Sequence, residues 1–147
     1  MYLATTRELL KGWLAAGLAD PVDGVGFAVT PALIEAVGDA DEEELTLTAL
    51  GAAARASIAQ ARASGEPGAA ATVLVVDIEP GPPLAGGHPA RVAQTSVPRE
   101  RFLAGYLGDA ALSAGVDPLG PQSPDDDSGL GIRLAWYAVQ ELPDLFG

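Results

Sequence analysis

The amino-acid sequence predicts an α/β (α+β) sandwich, in which helices pack on one or both faces of a single mixed sheet of about five strands. Two observations lead to this prediction. Short apolar segments of strand type alternate with segments of helical periodicity, in the order β-α-β-α-α-β-β-α-β. Two of the strands follow each other directly, which predicts a hairpin. The simplest such sheet is ferredoxin-like or a variant, and residues 1–147 suit a single globular domain.

The chain begins with a strand and an amphipathic helix. Residues 2–5 form the predicted strand, and Thr5 with Glu8 has the spacing of a capping box at the helix start. Gly17 is the expected end of the helix, because glycine readily adopts the left-handed conformation found after a helix C-terminus. The apolar residues of this helix recur on one face: Leu9, Leu10, Trp13 and Leu14.

A second strand and a short helix follow. Residues 24–30 have the composition of a strand. Thr30 and Pro31 then make a good helix start, because threonine caps the first turn and proline is tolerated at the first helical position. The helix over 31–37 has only one or two turns.

The longest predicted helix begins at Asp41 and runs to about Ser64, before a Gly/Pro-rich break. Asp41 and the three glutamates after it favour a helix start, because carboxylates are stabilised at the positive end of the helix dipole. The apolar residues recur every three or four positions: Leu47, Leu50, Ala54, Ile58 and Ala61.

The strongest strand covers residues 71–79. Its centre, 72–76, is apolar on both faces, which predicts a central position in the sheet. A Pro/Gly loop at about 80–90 separates it from the next strand, 90–97, and these two strands are the expected hairpin.

The last quarter of the chain is predicted to hold a helix, a strand and a terminal turn or helix. Pro98 heads the expected helix, whose apolar residues are Phe102, Leu103, Tyr106 and Leu107. A second loop, at about 114–129, leads to the strand 132–140. Residues 141–146 form the terminal turn or helix.

The composition excludes several classes of function. The chain has 20 acidic and 8 basic side chains, a net charge of −12, one histidine and no cysteine. Cysteine chemistry, disulfides and two-histidine metal sites are therefore impossible. The acidity disfavours nucleic acid, and no charge-free stretch approaches the roughly 20 residues of a membrane span. The N-terminus lacks the pattern of a secretory signal, so we expect a cytoplasmic protein that binds neither nucleic acid nor membrane.

Motifs for nucleotides, metals and nucleophilic catalysis are absent or incomplete. The glycines at 24 and 26 precede a strand and lack the third glycine of a dinucleotide fingerprint. There is no P-loop and no Gly-x-Ser-x-Gly turn. The acidic run 125–127 resembles the start of a calcium loop, but the twelfth position holds Trp136 instead of an acid. His88 lies in a Pro/Gly loop, and we predict no catalytic residue, metal or cofactor.

Two groups of residues remain as candidate sites. Asp77 and Glu79 share one face at the end of their strand, where ligands often bind in open α/β sheets, and Thr30 or Gln140 could join them. Trp136 and Tyr137 lie side by side on the last strand and therefore face opposite sides of the sheet. One of these two rings is expected in the core, and the other over a helix, a pocket or a subunit interface.

The chain also resembles a known family. The segments that carry the resemblance are 2–6, Phe-Ala-Val-Thr-Pro at 27–31, 42–45, Val-Leu-Val-Val at 73–76 and Trp-Tyr-Ala-Val-Gln-Glu at 136–141. In this order they resemble the small actinobacterial DUF6912 family of unknown function, over nearly the whole chain. The resemblance implies a small cytosolic protein with no assigned activity. The chain departs from the family pattern at Ala4, where proline is expected, and its Pro/Gly-rich loops look longer.

Two functional hypotheses follow. The first is a non-enzymatic interaction or regulatory module that binds a protein partner through the last strand, with Trp136 and Tyr137 in the interface of a homodimer. The alternative is a protein or enzyme that binds a small molecule or a divalent metal at the strand ends, through Asp77 and Glu79 with Thr30 or Gln140.

Overall fold

The computed structural model describes residues 1–38, 41–65, 71–85, 87–108 and 134–146. The expected loop at 114–129 and the first residues of the expected last strand lie outside these ranges. The elements of the first half are β1 (Tyr2–Thr5), α1 (Arg7–Ala16), β2 (Leu18–Ala19), β3 (Val25–Phe27), α2 (Pro31–Val37) and α3 (Glu42–Ala63). Those of the second half are β4 (Thr72–Val76), β5 (Arg91–Ala93), β6 (Val97–Pro98), β7 (Phe102–Gly108), β8 (Leu134–Ala138) and α4 (Leu142–Phe146).

Six strands form one sheet in the order β5-β3-β1-β4-β7-β8, and β2 pairs with β6 in a separate two-stranded sheet. Each described pair of neighbouring strands is antiparallel. The predicted α+β class is therefore confirmed, with more strands than the five expected and with antiparallel neighbours where a mixed sheet was expected. Strand β4 is central, as its apolar sequence predicts.

The middle of the sheet contains a split β-α-β unit. Strand β1 lies between β3 and β4 and is antiparallel to both, so β3 and β4 run in the same direction. Helices α2 and α3 make the connection between them, which is long, as parallel strands require. A unit of this type is a component of ferredoxin-like folds.

Helices cover both faces of the sheet, and we call these the α3 face and the α1 face. Each face has its own hydrophobic cluster of buried side chains, the α3 cluster and the α1 cluster. Because side chains alternate along β1, Ala4 lies in the α3 cluster and Leu3 lies in the α1 cluster. The α3 cluster contains several alanines of the helix, which allow a close approach to the strands. The α1 cluster contains Leu10, Trp13 and Leu14, together with Leu142 of α4.

Three helix caps can be compared with the sequence prediction. Thr30 and Asp41 cap α2 and α3 as expected, through hydrogen bonds from the amides of Leu33 and Glu44. The predicted cap of α1 is wrong by one residue. Thr6 is the cap and accepts a hydrogen bond from the amide of Leu9 at 3.2 Å, because Thr5 is still the last residue of β1.

The predicted helix after Pro98 is wrong, because that segment is β7. Phe102 and Tyr106 are four positions apart, a spacing typical of one face of a helix. In β7 they lie on opposite faces, Phe102 in the α1 cluster and Tyr106 against the α3 cluster, because the register with β4 shifts between Val75 and Val76. Gly105 has a packing role in the strand: a Cβ atom there would lie 2.8 Å from a methyl carbon of Leu142. The two glycines of this segment are poor helix formers.

The predicted hairpin between 71–79 and 90–97 is also wrong. Strand β4 pairs with β1 and β7, whereas β5 pairs with β3 at the far side of the sheet. The Pro/Gly loop between β4 and β5 therefore crosses the sheet instead of making a tight turn. The β2–β6 sheet was not predicted, since two residues per strand are too few for a periodic signal.

Helix α3 is tied to the sheet by Ser57. Its hydroxyl donates a hydrogen bond to the Thr5 carbonyl at 2.5 Å and accepts one from the Thr72 amide at 2.7 Å. Thr5 and Thr72 are opposite each other on β1 and β4, so the hydroxyl links the two strands at the point where they meet. Along the described part of the chain, no helix is both long enough and apolar enough to cross a bilayer.

Candidate functional site

The two outer edges of the six-stranded sheet differ. At β5, the segment 82–84 runs alongside the strand. The Leu84 amide donates a hydrogen bond to the Arg91 carbonyl at 3.0 Å, and the Ala93 amide donates one to the Pro82 carbonyl at 2.9 Å. We call this segment the strap. At the opposite side, β8 pairs with β7 and with no other described strand. The described structure therefore has one covered edge and one open edge.

Strand β8 lacks the usual protection of an open edge. Its sequence, Leu-Ala-Trp-Tyr-Ala, contains no charged residue and no proline, which are the residues that normally discourage strand addition. The Ala138 amide donates to Glu141 Oε2 at 2.9 Å and so points away from β7. Because backbone direction alternates along an antiparallel strand, the N–H and C=O groups of Leu134 and Trp136 also point away from β7.

The two aromatic side chains of β8 face opposite sides, as the sequence predicts. Tyr137 is opposite Gly105 and packs against the α1 cluster. Trp136 is opposite Tyr106 on the α3 face and remains 58% exposed. An exposed indole on an open edge strand is available to contact another molecule.

Tyr106 and Tyr2 extend this aromatic surface across the α3 face. Both rings are half-buried against the α3 cluster. Burial raises the pKa of the Tyr2 phenol, and the nearby Tyr106 phenol raises that pKa further. Tyr106 was missed as a sheet residue by the sequence prediction, which placed it in a helix. The surface formed by Tyr2, Tyr106 and Trp136 is called the aromatic row below.

The second candidate site lies at one end of the sheet. Strands β3, β4 and β8 run in the same direction, so Thr30, Asp77 and Gln140 all follow strand ends at the same side of the sheet. Asp77 and Glu79 are exposed and line a depression of about 470 Å³. Its other lining residues are Ile78, Pro80 and Arg101.

Thr30 and Gln140 do not line that depression. Thr30 is buried, and its hydroxyl accepts from the Leu33 amide at 3.0 Å and donates to the Pro89 carbonyl at 2.5 Å. The hydroxyl therefore already uses its proton and a lone pair, to bond the loop after the strap and to cap α2. Gln140 is exposed in a single helical turn after β8. No group of three metal-ligating side chains occurs among the described residues, and Arg101 adds a positive charge that disfavours a cation beside Asp77.

His88 has a structural position. Its Nδ1 atom accepts a hydrogen bond from the Ala90 amide at 3.1 Å, so this nitrogen carries no proton. Burial lowers the pKa of His88 from 6.5, and the nearby Arg55 charge lowers it further. A neutral imidazole bonded to its own loop orders that loop.

Comparison with known proteins gives a family and no closer relative. A model of a family of unknown function (DUF6912) matches residues 1–146. The chain belongs to the DUF6912 family. No curated protein and no solved structure matches it.

The family membership confirms the resemblance noted in the sequence, and it brings no catalytic residue to this DUF6912 chain. The described geometry offers two features with chemical consequences. One is the open β8 edge with the aromatic row beside it. The other is the depression at Asp77, Glu79 and Arg101, which presents both signs of charge to solvent. The first is built mainly of backbone and aromatic groups, and these bind polypeptide.

Proposed function

We propose that the protein is a non-enzymatic, cytosolic interaction module that associates as a homodimer through β8. The observation that supports this proposal is an open edge strand without charge, carrying an indole that is 58% exposed. Native edge strands are usually protected by charges, prolines or bulges, and β8 has none of these in its five residues. A cysteine-free chain is compatible with the reducing cytosol.

Strand addition supplies both affinity and specificity. Main-chain hydrogen bonds from the open edge give affinity, and side chains on alternating faces select the partner. The contrast between the edges supports a role for β8 in association, because the strap already bonds the Arg91 carbonyl and the Ala93 amide of β5. Tyr137 anchors β8 in the α1 cluster, so the strand is held in place before a partner arrives.

The test is sedimentation velocity of the wild type and two variants across the micromolar range and up to about 1 mM. Trp136→Lys places a charge on the open edge and should weaken association at least about tenfold. Leu9→Lys is the matched control, because Leu9 is also a large apolar residue exposed to solvent, 41% exposed, but lies on α1. A wild type that stays monomeric at every concentration would refute the proposal.

A second function is favoured by the depression at the end of β4. Its volume of about 470 Å³ suits a small molecule, and Asp77, Glu79 and Arg101 all line it. Here the protein would bind a small ligand carrying both charges, and the Arg101 charge makes a divalent metal the less favoured ligand. Thermal unfolding with amino acids, other small zwitterions and divalent ions tests this, because a ligand at 100 times its Kd stabilises by about 2.7 kcal/mol. Asp77→Asn should abolish any shift.

A further inference from the structure

The direction of the backbone groups on β8 restricts how two copies can pair. Residues whose N–H and C=O groups point outward can face only outward-pointing residues of the other strand in a regular antiparallel ladder. On β8 these are Leu134, Trp136 and Ala138, as the hydrogen bond from the Ala138 amide to Glu141 indicates. A twofold axis can therefore pass beside any residue of β8, because an axis beside Ala135 or Tyr137 also places outward-pointing residues opposite each other.

Only one of these positions uses the whole strand. An axis beside Leu134 or Ala135 would pair β8 with residues that precede it, and an axis beside Tyr137 or Ala138 would pair β8 with the helical turn at Val139–Glu141. An axis beside Trp136 places all five residues of one β8 opposite all five of the other. In that register, Trp136 faces its own counterpart. The Ala138 amide exchanges its hydrogen bond to Glu141 for one to the Leu134 carbonyl of the second copy.

The side chains fit this register. Ala135 faces Tyr137 of the second copy on the α1 face, and Leu134 faces Ala138 of the second copy on the α3 face. Each large side chain is thus opposite a small one, as in well-packed layers. The two Trp136 rings become cross-strand neighbours, an arrangement that stabilises antiparallel pairs. The aromatic row of one copy then continues into that of the other.

Charge and area set the strength of this association. Each copy carries a charge of −12, and β8 itself contains no charged residue, which limits the repulsion where the two strands meet. The Glu141 carboxylate at the Ala138 end of the strand adds one negative charge per copy beside the pair. A tryptophan side chain has about 150–250 Å² to bury, of which Trp136 still exposes 58%. Two such rings and five-residue strands fall below the roughly 1,600 Å² of a standard interface. Association should therefore be weak and should strengthen with salt.

The geometry points to a twofold β8–β8 pair centred on Trp136, which joins the two sheets into one antiparallel sheet of twelve strands. The partner is a second copy of this chain, and the inference rests on the proposed function. The pairing places the Hα atoms of Ala135 and Tyr137 of opposite copies close together, since they form a non-hydrogen-bonded pair.

The test is an isotope-filtered NOE experiment on an equal mixture of ¹³C-labelled and unlabelled wild-type chain, at concentrations where sedimentation shows dimer. An intermolecular NOE between Ala135 Hα and Tyr137 Hα is expected. A dimer by sedimentation without this NOE, or with contacts between other residues, would overturn the register and leave the proposed function standing. An absence of dimer would overturn both.

A pair of variants gives an independent measurement. Leu134→Pro removes an outward N–H group at the first residue of β8, a position where an edge strand tolerates proline. Leu134→Ala makes a similar loss of packing and keeps that N–H group. The dimer dissociation constant should rise several-fold more for proline than for alanine, because the symmetric pair loses two hydrogen bonds. Equal effects of the two variants would contradict the predicted ladder.

Discussion

Replacing Ser57 with alanine tests how α3 is held on the sheet. The Ser57 hydroxyl is fully buried and makes two hydrogen bonds, to the carbonyl of Thr5 and from the amide of Thr72. Alanine leaves both backbone groups without this partner, and each buried unsatisfied group costs about 1–3 kcal/mol. The better helix propensity of alanine returns up to about 0.5 kcal/mol. We therefore expect a loss of about 2–4 kcal/mol in the free energy of unfolding.

Urea denaturation followed by circular dichroism measures this loss. For a chain of this size, a loss near 3 kcal/mol lowers Tm by about 6–12 °C. Hydrogen exchange of the Thr72 amide should accelerate in the variant, which links the loss to the missing hydroxyl. The matched control is Ser96→Ala, at an exposed serine, with an expected change within about 0.5 kcal/mol. A loss below about 1 kcal/mol with an unchanged Thr72 exchange rate would refute the reasoning.

Three further predictions concern single residues. Since the pKa of His88 is lowered on folding, its contribution to the free energy of unfolding should be complete above pH 6.5 and should be lost as the pH falls below 6.5. His88→Gln should flatten this pH dependence, and an unchanged profile in the variant would contradict the prediction. The buried Thr72 hydroxyl has no partner in the described structure, so Thr72→Val should raise the free energy of unfolding by about 1 kcal/mol in urea titrations, whereas a loss would indicate a hidden partner. Acrylamide should quench one tryptophan readily, because Trp136 is 58% exposed and Trp13 is 7% exposed; if Trp136→Phe leaves the accessible component in place, the assignment is wrong.

Local signals in the sequence predicted local structure well. The caps at Thr30 and Asp41 depend on a few neighbouring residues, and both are confirmed. The cap of α1 was misplaced because Thr5 and Thr6 have the same side chain, and only the length of β1 decides between them. The alternation of Trp136 and Tyr137 followed directly from strand geometry.

Non-local pairing was not predictable in the same way. The spacing of Phe102 and Tyr106 is typical of a helix face, whereas the strand depends on partners in β4 and β8. The register shift in the pairing with β4, which puts these two side chains on opposite faces, has no signal in the sequence. The order of strands in a sheet is a long-range property that no single segment encodes. The predicted site at the strand ends was also limited by long-range contacts that the sequence does not show. Thr30 and Asp77 do follow parallel strands, but the Thr30 hydroxyl is already bonded to Pro89, a contact between residues 59 positions apart.

The strap along β5 limits how far such molecules could assemble. A sheet with two open edges could add copies head to tail, β8 onto β5, and such a contact repeats without end and gives filaments. Here the Arg91 carbonyl and the Ala93 amide are already bonded to the strap, which contains two prolines that cannot donate. Among the described strands of the six-stranded sheet, only β8 is then available for strand addition. In the proposed β8–β8 pair each copy uses that edge, so assembly by strand addition of the described sheets should stop at two copies.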